Sequence, residues 1–288
     1  MPDTKDLAQR IADGYGDMSK GQKRIADFIT KNYDKAAYMT ALRLGDSVDV
    51  SESTVVRFAM DLGYAGYPQL QKALQDMVRN KLTTLQRMEM TSDMSRSMVL
   101  RTVLRADMGN LKQTIDSINA EEFEQVVDEV YNARRVYILG ARSSAPLAQF
   151  MGYYLNFLLD NVYVVTSGIN DIMEQLVHIG SEDVLVGISF PRYSKRTVEG
   201  VHFAHDKGAK IVAITDSGAS PLNEYADHVL VAHSNIASFV DSLVAPFSIV
   251  NAFIVSIGLR KRHEASENFM ELERIWDEFN VYIDKGRS

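Results

Sequence analysis

The sequence predicts an all-α helix-turn-helix domain followed by an α/β domain with a five-stranded parallel sheet flanked by helices. Three observations predict it. Apolar residues of the first part recur every three or four positions, the period of a helix with one buried face. Five short, continuous apolar runs follow residue 135, separated mainly by helical stretches, as in a parallel sheet covered on both sides. Charge also divides the chain: residues 1–80 hold eleven Lys and Arg against eleven Asp and Glu, so the whole formal charge of −7 lies beyond them.

In the first domain, Ser19 begins a helix with Ile25, Phe28 and Ile29 on one face, ending near Asn32. Thr40 can cap a short helix holding Ala41, Leu42 and Leu44, and Val48-Asp49-Val50 turns the chain into Ser51. A second helix then runs from about Glu52 to Leu62, with Val55, Phe58, Ala59 and Leu62 on its buried face. Ser51 stands at its N-cap and Gly63 at the left-handed position beyond its end. Pro68 suits a first helical position, and Leu70, Ala73, Leu74 and Met77 close an all-helical domain near residue 80.

Two short helices joined by so tight a turn cannot lie parallel. In a helix-turn-helix this angle sets the second helix into the major groove, where its first turns meet base edges. Ser51, Glu52, Ser53, Thr54 and Arg57 are the candidates on that helix. Hydroxyls suit bases or phosphates, and Arg57 can fork onto a guanine or pair with the backbone, so the residue types leave both roles open. A plain helical bundle with Ser and Thr caps fits the same pattern. Lys20, Lys23, Arg24, Arg57 and Lys72 form the candidate phosphate set, each of which also reads as an ordinary solvated helix residue.

These residues carry a resemblance. Met39-Thr40, then Val50-Ser51-Glu52-Ser53-Thr54-Val55-Val56-Arg57-Phe58, then Leu62-Gly63-Tyr64-x-Gly66-Tyr67, resemble the N-terminal signature of the RpiR family of bacterial transcriptional regulators. The resemblance implies binding to double-stranded operator DNA, with a contact set of Thr40, Ser51, Glu52, Ser53, Thr54 and Arg57 supported by Lys20 and Lys23.

Residues 81–120 read as a helical linker. Met88, Met90, Met94 and Met98 are better explained by helical packing than as soft metal ligands. The five apolar runs are Val136–Leu139, Val162–Val165, Val184–Ile188, Ile211–Ile214 and Val229–Val231. Three end in polar chemistry: Gly140-Ala141-Arg142-Ser143-Ser144, the stretch Ser189 to Thr197, and Thr215-Asp216-Ser217. Ligands of open α/β sheets bind at the carboxyl ends of strands, beside helix N-termini that favour anions, so these loops suggest a phosphate pocket. Simple helix capping by Ser and Thr is the alternative at any one position.

Residues Glu121 to Arg260 resemble a SIS domain, the sugar-isomerase fold that binds phosphosugars. The match covers Val136 to Ser144, Asp183 to Ser189, Gly208-Ala209 through Thr215-Asp216, Ser220-Pro221-Leu222 and Ala226-Asp227. By that resemblance Ser143, Ser144, Ser189, Ser194 and Thr197 hold a phosphosugar, with Arg142, Lys195 and Arg196 adding positive charge. The chain departs from the general pattern between Ser189 and Thr197, where the loop is lengthened and Lys195 replaces a glycine. The resemblance implies a SIS domain over 121–260. In the remaining segment, 261–288, the periodicity predicts a C-terminal helix from about Glu264 to Tyr282 with Phe269, Leu272, Ile275, Trp276 and Phe279 on its apolar side, either a subunit interface or a face packed within its own subunit.

Composition narrows the chemistry. The chain has no cysteine, which excludes disulfides, thiolate metal sites and a cysteine nucleophile, and its six histidines show no tight ligand spacing. His202 and His205 are best read as solvated helix residues, and neither metal nor cofactor is expected. No apolar run is long enough to span a membrane and the first residues lack a signal-peptide core, so a cytosolic protein is expected. The leading reading is a DNA-binding regulator, dimeric or tetrameric, whose operator affinity is set by a phosphosugar, with no catalytic residues. A SIS-fold isomerase using Glu174, His178, Glu224 or His233 and a ligand-free dimerising scaffold are the competing readings.

Overall fold

The computed structural model describes residues 7–81, 83–89, 95–236 and 239–283. The chain divides into two compact units, Met1–Glu89 and Met90–Ser288.

The first unit contains α1 (Leu7–Gly14), α2 (Lys20–Lys31), α3 (Tyr33–Ala36), α4 (Ala41–Ser47), α5 (Glu52–Asp61), α6 (Tyr67–Lys81) and α7 (Thr84–Glu89). Local chemistry sets its boundaries. Ser19 caps α2 and Gln22 returns a bond from the Ser19 N–H, satisfying two donors that the helix start leaves open. The hydroxyls of Thr40 and Ser51 accept from the N–H groups of Arg43 and Thr54 at 3.2 and 3.3 Å. Gly63, at φ +86°, turns the chain out of α5. Pro68 occupies the second position of α6, one place later than its N1 preference suggests. Ile25, Ile29, Leu44, Val55, Phe58, Leu70 and Leu74 are fully buried and form one core. Each contributes roughly 1.5–3 kcal/mol relative to exposure.

The second unit runs α8 (Val99–Ser117), α9 (Ala120–Asn132), β1 (Val136–Gly140), α10 (Ala145–Leu155), β2 (Val162–Val165), α11 (Ile172–Gln175), β3 (Val184–Ile188), α12 (Lys195–Asp206), β4 (Lys210–Thr215), β5 (His228–Val231), α13 (Val244–Arg260) and α14 (Arg262–Glu278). All five strands are parallel, in the order β2-β1-β3-β4-β5. Alternation along β1 sends Val136 and Ile138 into a core shared with α9, α10 and α13, and Tyr137 and Leu139 into one shared with α11 and α12. Both faces are therefore covered, which is why the strands read as unbroken apolar runs.

At the amino rim of the sheet, Arg134 donates two bonds to Asp183, at 2.9 and 2.8 Å, and the Gly180 N–H donates a third at 2.8 Å. Burial alone would raise the Asp183 pKa, but these bonds outweigh it and hold the carboxyl below its ordinary value. Met90 and Met94 lie outside the described residues, whereas Met88 and Met98 are exposed. The C-terminal helix spans Arg262–Glu278 and its Trp276 ring stands edge-on to Phe157 of the α10 end, 6.2 Å between centroids. Among the described residues, no helix is long and apolar enough to cross a membrane.

Candidate functional site

The first unit contains the helix-turn-helix. Val50 N–H donates to Gly45 O at 3.0 Å and Asp49 takes φ +56°, which closes the turn between α4 and α5. A Cβ on Gly45 would lie 2.7 Å from Val50 O, so only glycine lets the turn approach α4 this closely. Sequence reasoning missed Gly45; its signal was a glycine inside a helical pattern.

Val55, Phe58 and Ala59 face inward, and Glu52, Ser53, Val56, Arg57 and Met60 line one open face of α5. Ser51 Oγ lies 2.9 Å from both Ser53 Oγ and Thr54 Oγ1, a cluster of hydroxyls at the helix N-terminus. A Cβ on Gly21 would lie 3.4 Å from Val50 and 3.5 Å from Thr54, so α2 passes close to the start of α5. Lys20, Arg57 and Lys72 are exposed. Lys23 instead bends back along the surface, with Nζ 3.3 Å from Gly16 O and 5.4 Å from the Tyr15 ring centroid. Arg24 pairs with Asp49 at 3.5 Å. Arg43, on the exposed side of α4, was not singled out from the sequence.

The second site lies at the carboxyl rim of the sheet. The order β2-β1-β3 places its topological switch point between β1 and β3, where open α/β sheets form a crevice. Gly140 ends β1 opposite Ile188 of β3. A Cβ on Gly140 would meet Ser144 O at 2.7 Å, so the glycine lets the Arg142–Ser144 turn fold back onto the strand end. Ser144 closes this turn and Ser189 directly follows Ile188; both are buried. The Ser194 N–H points to Ser189 Oγ at 3.4 Å, and Thr215 Oγ1 donates to Ser189 O at 2.8 Å. Tyr193 donates to Asp216 at 2.6 Å, bracing the lengthened loop, in which Arg192 has φ +63°.

Thr197, in the first turn of α12, is completely buried and its Oγ1 has no hydrogen-bond partner. The structure joins Ser194 to Ser189 and buries Ser144 and Thr197 on the segments that follow β1 and β3, while Arg142 and Ser143 face solvent. Lys195 pairs with Glu199 at 3.4 Å, and Arg196 lies 3.5 Å from both Asp171 and Glu199. Arg196 also borders a cleft of about 350 Å³ formed with residues 167–172 and Glu174.

The four residues considered for acid–base work sit on separate elements. Glu174 accepts from the Asp171 N–H at 3.0 Å in a capping box, and His233 Nε2 lies 3.2 Å from Ser117 Oγ. His178 is exposed beyond α11, and Glu224 ends a 3₁₀ turn. His202 stacks on Tyr225, 4.5 Å between centroids.

Residues 5–81 match the helix-turn-helix domain of the rpiR family and residues 129–256 match the SIS domain. An uncharacterized HTH-type transcriptional regulator of Haemophilus influenzae is 30% identical over 237 residues, 80% of this chain and 81% of that protein. The HTH-type transcriptional regulator HexR of Pseudomonas aeruginosa is 23% identical over 265 residues, covering 89% and 90%. Among solved structures, the sugar isomerase domain of an RpiR transcription factor from Sphaerobacter thermophilus is 31% identical, covering 62% of this chain and 99% of that one, with a TM-score of 0.59. The Vibrio vulnificus NanR protein complexed with ManNAc-6P is 18% identical and covers 97% and 100%, also with a TM-score of 0.59. The fold class read from the sequence is borne out, and the chain belongs to the RpiR family of HTH-type transcriptional regulators, a helix-turn-helix joined to a SIS domain rather than an enzyme.

Proposed function

We propose that this regulator binds double-stranded operator DNA through α5 and that a phosphosugar seated at the carboxyl rim of the β1/β3 crevice sets its operator affinity. One observation carries the ligand reading: the buried, unpartnered Thr197 hydroxyl in the first turn of the helix that follows β3. An unpaired buried hydroxyl costs about 1–3 kcal/mol, and an anionic oxygen at the start of α12 would satisfy it. Ser144, Ser189 and Ser194 complete the hydroxyl set, Ser143 stands at its edge, and Arg142, Lys195 and Arg196 supply positive charge around it. NanR, which shares the fold, holds a phosphosugar.

On the DNA side, Ser51, Glu52, Ser53, Thr54 and Arg57 face the bases, while Thr40, Lys20 and Lys23 steady the backbone. We assign residues 1–80 to DNA binding, 81–120 to the linker, 121–260 to ligand binding and 261–288 to a C-terminal helix. The protein works in the cytosol as a homodimer or homotetramer, since a reading unit without excess positive charge needs a second copy to hold an operator.

An electrophoretic mobility titration tests this. Operator affinity should change on adding a matching phosphosugar and should not change in Thr197→Val. A wild-type response absent across a broad phosphosugar panel would overturn the proposal.

A further inference from the structure

The outward side of α5 mixes two chemistries. Glu52, Ser53 and Arg57 can hydrogen-bond, but Val56 and Met60, one turn apart, set apolar surface among them, and the five side chains line an open hollow of about 460 Å³. Met60 is 54% exposed. Val56 is half-buried and packs in part on the core of the first unit, which restricts its branched side chain while leaving part of it at the surface. A lone exposed methionine would need no account, since single apolar side chains are ordinary on any surface. These two lie together, turned away from buried Val55 and Phe58, on the face that a helix-turn-helix presents to base edges.

We propose that Val56 and Met60 determine operator sequence by packing on thymine methyl groups in the major groove. This deepens, and rests on, the assignment of α5 to DNA reading above. The C5-methyl of thymine is the one substantial apolar group that a standard base pair shows in that groove; the other edges there are hydrogen-bond donors and acceptors. An edge of that kind pressed against Val56 or Met60 loses water and gains no partner, so the side chains that favour thymine also select against other bases. Residues four apart stand about 6 Å apart along a helix, roughly two base steps of DNA, so the two thymines lie about two steps apart. Val56, held by the core, is the stricter reader, whereas the flexible Met60 side chain adapts to its base. A second copy of the chain seated on this stripe would cover Ser53 and Arg57 as well and close the reading helix to DNA, so bases are the occupant the surface fits.

Replacing thymine by deoxyuridine in a duplex removes the methyl and nothing else. Duplexes that the full-length protein selects from a random pool supply the probe, and each thymine is replaced in turn. The wild-type protein should bind about fourfold more weakly when either of two thymines is replaced, the loss expected for one methyl group returned to water. Val56→Ala should erase the loss at one of these positions and Met60→Ala at the other; Met60 is exposed, so its variant leaves the core intact. Equal binding of thymine and deoxyuridine duplexes at every position, or losses that persist in both variants, overturns this contact while leaving base reading by α5 intact. Persistent losses together with altered sedimentation of Met60→Ala would assign the stripe to a second copy instead. A pool in which no sequence is enriched overturns the DNA-reading assignment itself.

Discussion

Thr197 poses the sharpest test at the scale of one residue. Its hydroxyl is buried and unpartnered, so Thr197→Val, close in shape and without the polar atom, should stabilise the ligand-free protein by on the order of 1 kcal/mol while weakening phosphosugar binding. Calorimetric unfolding with and without ligand measures both; a variant less stable without ligand and unchanged in affinity would falsify the assignment. Arg57→Ala should lose operator binding and keep phosphosugar binding. Lys20→Ala should weaken DNA of any sequence alike and lower the slope of log affinity against log salt by about 1. Inspection of the sequence could place Lys20 and Arg57 on exposed faces because helical periodicity is local. It could not show that Lys23 bends back to Gly16 and Tyr15, nor that Arg196 pairs with Asp171 from another loop, because those partners are supplied by tertiary structure.

Among elements, the join of α3, α4 and α6 has a distinct pH signature. Tyr67 donates to Met39 O at 2.7 Å, and burial pushes its pKa up to about 12. The folded state therefore favours the neutral phenol. That stability is complete below the usual tyrosine pKa, about 10, and is lost as pH rises toward 12. Tyr67→Phe should flatten this alkaline loss at small cost near neutrality, because Gln71 also donates to Met39 O at 2.7 Å; urea unfolding at pH 7 and above pH 10 checks it. Gly45→Ala should cost about 1–3 kcal/mol and impair DNA binding while sparing phosphosugar binding, since its Cβ meets backbone that cannot yield easily. Elements were legible where caps and periodicity agreed, as at Ser51 with Val55 and Phe58. The strand order was not, because runs such as Val136–Leu139 and Val184–Ile188 carry no label of their neighbour; only pairing in space puts β1 beside β3 and sets the switch point there.

For the whole molecule, the reading makes a thermodynamic demand. If a phosphosugar alters operator affinity by some factor, operator DNA must alter phosphosugar affinity by the same factor, and the ligand must raise the unfolding midpoint of the second unit by mass action. Titration calorimetry with and without operator measures the first. Equal phosphosugar affinities in a protein whose mobility shift does respond would break the cycle and point to a second ligand site. The two-part organisation was visible as a change of rhythm and charge near residue 80, whereas the burial of Asn110 and Thr114 on α8 was hidden, because a period shows that a helix has two faces and not which one meets the core. The Arg134–Asp183 pair makes the two rims of the sheet unequal in bonding. One rim is riveted by three charge-assisted bonds to a buried carboxylate, and the other ends in loops with an unfilled hydroxyl bond. Amide exchange should accordingly slow most at the soft rim when a phosphosugar arrives, leaving the riveted end nearly unaltered, so the message of occupancy must leave through the loops after β1 and β3.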